Sequence, residues 1–171
     1  MTPNRQVYLI GFGSNVRTKN NGPPEMVLRA SFQALQGAGL SFRAISPISY
    51  TKPLGPSLRM FANGAAVIET DLGPEALLKV LKQTEKSFGR KQMGVRWRAR
   101  VLDLDILLWN GGIWVSKNLN IPHKELRYRR FVLQPAKAIA QGWRDPITNL
   151  SIRHLHARLT KPRSIPRARA S

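Results

Sequence analysis

Apolar positions recur at two spacings along this chain, one that builds strands and one that builds helices. The run Val7–Phe12 ends in Gly11-Phe12-Gly13-Ser14-Asn15 and predicts a buried strand entering a turn. Pro23 and Pro24 then introduce Val27, Leu28, Phe32 and Leu35 at helical spacing, and Gly37 and Gly39 close that helix. Residues 41–50 read as extended chain, Thr51-Lys52-Pro53-Leu54-Gly55-Pro56 as a candidate binding loop, and Ala65–Thr70 as another strand. A further helix starts at Pro74, carries Leu77, Leu78, Leu81 and Phe88 on one stripe, and stops before Gly89.

Val101–Trp109 predicts the next strand, and its alternation is unusual. Leu102, Leu104, Ile106 and Leu108 fall on one face; Val101, Asp103, Asp105 and Leu107 fall on the other. One face is core and the other presents carboxylates. Strand, helix, strand, strand, helix, strand is the order of an α+β fold, a ferredoxin-like α/β sandwich with an antiparallel sheet. The remaining chain is expected to add short elements at one edge, and no internal repeat is visible.

Length and composition narrow the class. The 171 residues, 42% of them hydrophobic, suit one domain that can bury its own core, here residues 1–160. The absence of cysteine excludes disulfide scaffolds, thiolate metal sites, iron–sulfur clusters and cysteine nucleophiles together. No run of about 18 apolar residues suggests a membrane span, so a cytoplasmic protein with no membrane association is expected. The 28 Lys and Arg against 9 Asp and Glu leave a formal charge of +19, unevenly spread. Arg90, Lys91, Arg96, Arg98 and Arg100 form a run without an acid, and four cations face one Glu125 between Lys124 and Arg130. A polyanionic ligand is the first expectation. Residues 161–171 read as a disordered basic tail.

Asp103 and Asp105 on one face of a strand stand roughly 7 Å apart at their Cα atoms. Two like charges in a half-buried strand require compensation by metal ions or arginines. Mg²⁺, completed by phosphate and water, accounts for both the charge and the spacing. The adjoining arginines offer the forked donors that phosphate oxygens accept. There is no G-x-x-x-x-G-K-[ST] phosphate loop, and Val16 stands where a dinucleotide fingerprint places its third glycine. Protein-kinase signatures are also missing.

The stretch Arg96-Trp97-Arg98-Ala99-Arg100-Val101-Leu102-Asp103-Leu104-Asp105-Ile106-Leu107 is followed by Ile121-Pro122-His123, Arg129, Phe131, Leu133 and Pro135. Together these closely resemble the 6-hydroxymethyl-7,8-dihydropterin pyrophosphokinase family of folate biosynthesis. Gly13-Ser14-Asn15, the loop 51–56, Phe61-Ala62-Asn63, Glu85 and Gly89-Arg90 reinforce the match, which runs in order from residue 7 to residue 158.

The resemblance implies transfer of the β,γ-pyrophosphoryl group of ATP to the hydroxymethyl oxygen of the pterin, with AMP released. Two Mg²⁺ ions are implied on Asp103 and Asp105, with Arg90 and Arg100 joining them as the catalytic set. Glu85, Arg90, Arg100, Ile106, His123 and Arg129 match nucleotide-binding positions. Phe61 and Phe131 match rings that sandwich the pterin, and Asn63 matches a side chain that reads its amide edge. Thr51, Lys52, Leu54 and Trp97 complete the implied pterin pocket. Mobile loops over the site and a monomer are implied as well. No dedicated general base is evident.

The chain departs from the family pattern at Arg98-Ala99, usually Gly-Pro, and at Lys82, usually glutamine. Lys52 replaces a usual proline, Lys124 a usual aromatic, and Gln92 and Asn118 stand where basic residues are common. A rival reading is a basic ferredoxin-like RNA-binding module, but Ala65-Ala66-Val67-Ile68-Glu69-Thr70 offers no stacking aromatics. A pyrophosphokinase that binds without reacting is the other alternative; the retained aspartates and arginines speak against it. His154 and His156 have no motif around them.

Overall fold

The computed structural model describes residues 5–52, 60–89 and 100–162. The predicted order of elements is present: β1 (Gln6–Ser14), α1 (Pro24–Gly37), β2 (Ser41–Ile45), β3 (Ser49–Thr51), β4 (Phe61–Thr70), α2 (Pro74–Ser87) and β5 (Asp103–Trp109). Prolines at the first turns of α1 and α2 cost no helical hydrogen bond, because the N–H each lacks would have no intrahelical partner. The extended stretch 41–50 divides into β2 and β3, which pair in succession along β4. Between them Ser46 keeps the ladder closed, its N–H bonding the Ala65 carbonyl and its hydroxyl accepting the Ala65 N–H, both at 2.9 Å.

The main sheet is antiparallel, in the order β2-β4-β1-β5, as expected for a ferredoxin-like sandwich. One face buries Tyr8, Ile10, Phe12, Ala66, Ile68, Leu104 and Ile106 against Val27, Leu28 and Leu35 of α1 and Leu77 and Leu81 of α2. The other face is also covered, and here the structure departs from the sequence reading. Beyond a small hairpin of β6 (Trp114–Val115) and β7 (Asn120–Ile121), the chain forms α3 (Arg130–Ala140) and α4 (Ile152–Thr160). Leu133, Ala136, Ala140, Ile152 and Leu155 of these helices pack on Leu9, Ala65, Val67, Leu107 and Leu108. The late segment therefore adds a third layer rather than an edge. Pro135 inside α3 withholds the N–H that the Phe131 carbonyl would accept, and the buried stripe is rich in alanine; both weaken the helical signal in the sequence.

A second departure concerns Leu108. The strand pairing shifts between Leu9 and Ile10, which face Leu108 and Ile106, so Leu107 is the extra residue of a bulge. Leu107 and Leu108 consequently both enter the core beneath α3 and α4, whereas strict alternation assigned Leu108 to the opposite face. Asp103 and Asp105 lie before the bulge and keep the expected alternation. Among the described residues no helix is long and apolar enough to cross a membrane. The expected basic tail lies largely outside the described residues.

Candidate active site

Cross-strand register brings the candidate residues together. In an antiparallel pair, directly opposed residues point to the same face. Gly13 of β1 opposes Asn63 of β4 on one side and Asp103 of β5 on the other, and Gly11 likewise stands between Ala65 and Asp105. Asn63, Gly13 and Asp103 therefore form one row on the sheet face that carries α3. With no side chain at Gly13 or Gly11, the middle of that row is a trough. A Cβ at Gly13 would sit 3.2 Å from Asn63 Oδ1, and one at Gly11 would sit 3.3 Å from the Leu107 side chain. Asn63 and Asp103 stand about 10 Å apart across it, two strand spacings.

On the pterin-matching side, Asn63 Nδ2 donates to Thr51 Oγ1 at 2.8 Å, which orients the amide and leaves Oδ1 over Gly13. Phe61 is half-buried on the same face, two residues before Asn63. Lys52 is exposed beside Thr51. Phe131 is half-buried in the first turn of α3, next to Arg129, whose guanidinium lies 5.6 Å from the Phe131 ring centroid. Arg129 is also paired with Glu125 at 3.3 Å. Leu54, Trp97 and Arg90 lie outside the described residues, as do most of the binding loop and the arginine-rich loop.

On the carboxylate side, Arg100 pairs through Nη1 with Asp103 Oδ2. Asp105 is half-buried, and its Oδ2 lies 4.0 Å from His123 Nε2. The His123 Nδ1 accepts the Glu125 N–H at 3.2 Å, so the hydrogen-bond pattern assigns the ring proton to Nε2, the atom facing Asp105. The His123 N–H is itself held by the Leu107 carbonyl at 3.0 Å. Burial, and then the neighbouring Asp103 charge, push the Asp105 carboxyl above the ordinary aspartate range, against the opposing pull of His123, Lys82 and Arg100. A carboxylate in that state is relieved by a bound cation. Two hard oxygen donors on an open face fit Mg²⁺, and no third His, Cys, Asp or Glu completes a metal group among the described residues. Phosphate oxygens and water would supply the other positions.

Behind the aspartates, β5 is an edge strand. The Leu104 N–H donates to Glu85 Oε1 at 2.8 Å, and the Leu104 carbonyl accepts from Lys82 Nζ at 3.2 Å. Lys82 and Glu85 bond each other at 2.8 Å. Side chains of α2 thus hold both peptide groups of the residue between the aspartates. Glu85 is 1% exposed, so its carboxylate serves the strand. The Ile106 side chain is in the α1 and α2 core, which leaves only its main chain able to meet a ligand.

Several contributors were not assigned by sequence reasoning. Gly11 and Gly13 make the trough; two glycines at period two in an apolar strand were the available signal. Asn15 bonds the main chain of Arg100 from both sides, with Asn15 N–H to the Arg100 carbonyl at 3.0 Å and Arg100 N–H to Asn15 Oδ1 at 2.7 Å. Arg127 forms a bidentate pair with buried Asp145, at 2.6 and 2.7 Å, tying the segment before α3 to the turn before α4. No local pattern announces that pair.

Residues 9–141 match the model of the family described as 7,8-dihydro-6-hydroxymethylpterin-pyrophosphokinase. The 2-amino-4-hydroxy-6-hydroxymethyldihydropteridine pyrophosphokinase of Pseudomonas aeruginosa is 36% identical over 145 residues, which cover 83% of this chain and 85% of that protein. The Bacillus subtilis protein of the same name is 34% identical over 160 residues, 92% of each. A folate synthesis bifunctional protein of Arabidopsis thaliana is 35% identical over 128 residues, 74% of this chain and 25% of its own length. Among solved structures, the wild-type Plasmodium falciparum HPPK-DHPS matches with a TM-score of 0.67 at 14% identity, covering 91% of this chain and 41% of that one. That likeness concerns the fold, and the chain spans less than half of that bifunctional protein.

Proposed function

Because the chain belongs to the 7,8-dihydro-6-hydroxymethylpterin-pyrophosphokinase family, we infer that it transfers the pyrophosphoryl group of ATP to the hydroxymethyl oxygen of 6-hydroxymethyl-7,8-dihydropterin in folate biosynthesis. The observation that carries this reading is the row Asn63–Gly13–Asp103. It sets an amide able to read a heterocycle and a carboxylate able to hold a metal–phosphate group on opposite sides of one trough.

In this reading the pterin lies over Gly13 with Asn63 Oδ1 at its edge and Phe61 and Phe131 against its faces. The resemblance assigns Thr51, Lys52, Leu54 and Trp97 to the same pocket. Stacking fixes the ring plane and the amide fixes its rotation, so the hydroxymethyl group is aimed at the aspartates. Asp103 and Asp105 would hold two Mg²⁺ ions, which supply neutralisation of the triphosphate charge. Arg90, Arg100, His123 and Arg129 bind phosphate oxygens, and Arg90 and Arg100 stabilise the charge that shifts to AMP as the α,β-bridging bond breaks. Glu85 supports the nucleotide side by holding Leu104, and Ile106 offers its main chain to the base. The enzyme is read as a cytoplasmic monomer.

The test is to mix the protein with ATP, Mg²⁺ and hydroxymethyldihydropterin and identify the products. AMP together with pyrophosphorylated pterin is expected. ADP would mark an ordinary kinase, and absence of any nucleotide product would reject the reading.

A further inference from the structure

Arg100 stands three residues before Asp103 and outside the ladder that holds β5, which begins at Asp103. Its guanidinium is directed toward Asp103 Oδ2, so the direction of the side chain depends on how firmly its own backbone is held. Ladder bonds do not reach it. The backbone is instead gripped by one residue of β1's end: the Asn15 N–H bonds the Arg100 carbonyl at 3.0 Å, and Asn15 Oδ1 accepts the Arg100 N–H at 2.7 Å. Main chain and side chain of Asn15 together imitate a bridge that the register beyond Gly13 and Asp103 no longer supplies.

The grip needs an acceptor oxygen at the reach of an asparagine side chain. Serine lacks the reach, and glutamine places its oxygen one methylene too far. Aspartate retains the acceptor. Asn15 is 4% exposed, so water cannot readily replace a lost bond. Because Gly13, two residues earlier, forms the floor of the trough, the same short segment sets the pterin floor and the Arg100 backbone in one frame.

We propose that Asn15 is a positioning residue that acts through Arg100, holding the guanidinium at the carboxylate end of the trough so that it meets the transferring phosphoryl group. This rests on the reading of Arg100 as a phosphate-binding cation. A displacement of about 1 Å in a catalytic group can cost on the order of a hundredfold in rate, so Asn15→Ala is expected to lower kcat about 10- to 100-fold. KM for the pterin should change little.

The experiment is a double-mutant cycle on kcat with Asn15→Ala and Arg100→Ala, accompanied by melting curves and by Asn15→Asp and Asn15→Gln. In the Arg100→Ala background the Asn15→Ala effect is expected to vanish. Asn15→Asp should recover most of the turnover, and Asn15→Gln should behave like alanine. Additive losses overturn the inference, as does an Asn15→Asp variant that melts normally yet is as slow as Asn15→Ala. A folded Asn15→Ala variant with unchanged kcat overturns it as well. If Arg100→Ala alone is fully active, the reading of Arg100 fails first and the inference falls with it, an outcome distinct from additivity.

Discussion

Asn63 and Asp103 face each other across Gly13, each its direct cross-strand partner, so a hydrogen-bonding amide and a carboxylate share one sheet face with only a glycine between them. The arrangement has no slack: a one-residue slip of either neighbouring strand would turn its polar group to the opposite face, into the core beneath α1 and α2. Function and register are therefore coupled, and the consequences are open to measurement.

On the proposed metal role, Asp103→Ala and Asp105→Ala should each lower AMP formation by about two to three orders of magnitude or more, since each would remove a ligand for the cations that neutralise the triphosphate. Neither side chain belongs to an apolar core cluster, so melting temperatures should stay close to that of the parent. Product analysis with a melting curve checks both halves. Near-normal turnover in either variant would reject the metal assignment.

If Phe131 stacks on the pterin as proposed, Phe131→Ala should weaken pterin binding roughly tenfold while ATP binding changes far less. Calorimetric titration with each ligand separately reads the difference. Equal losses for the two ligands would instead show that Phe131 only supports the first turn of α3.

Gly13→Ala places a methyl 3.2 Å from Asn63 Oδ1 and raises the floor of the trough. Asn63 must shift by a few tenths of an ångström, and the bond proposed between it and the pterin is expected to weaken. The dissociation constant for pterin should rise roughly two- to tenfold, the worth of one ordinary hydrogen bond. An unchanged constant would place the pterin elsewhere.

Arg127→Ala breaks a buried pair and strands the carboxylate of Asp145, which is 0% exposed. The expected cost is about 3 kcal/mol, or roughly 6–12 °C in melting temperature. Burial alone would raise the Asp145 pKa; the bonds from Arg127, Thr148 and the Ile147 N–H together outweigh it and hold the carboxyl below its ordinary value. A depressed folded pKa gives stability that is present above the ordinary aspartate range and is lost as pH falls through the depressed value. Asp145→Asn should therefore lower stability near neutral pH and flatten its acid dependence. Urea denaturation across that range is the measurement, and an unaltered acid slope would sink the assignment.

The site was only partly legible in the chain. Asp103 and Asp105 announced themselves as charges in an apolar strand, and the structure keeps them on one face. The resemblance set Glu85 among nucleotide-binding positions, and the structure bonds it to Lys82 and to the Leu104 N–H across the gap to β5. The substitution that distinguishes Lys82 from the family pattern thus has a structural use, which spacing along α2 could not disclose.

Period-two and period-3.6 patterns determined β1, α1, the Ala65–Thr70 half of β4, α2 and β5 and their ferredoxin-like order, because each pattern records which side of its own element is apolar; that β4 starts at Phe61 and so includes Asn63 was not read from the pattern. Residue types in the same stretch determined the candidate chemistry of the aspartates and arginines. Tertiary structure alone decided what lies opposite what. The bulge at Leu107, the covering of the second face by α3 and α4, and the Asn15 grip on Arg100, 85 residues away, all depend on contacts between distant segments. A local period states that a face is buried; it carries no record of which element buries it, nor of the strand register that sets Asn63 opposite Asp103.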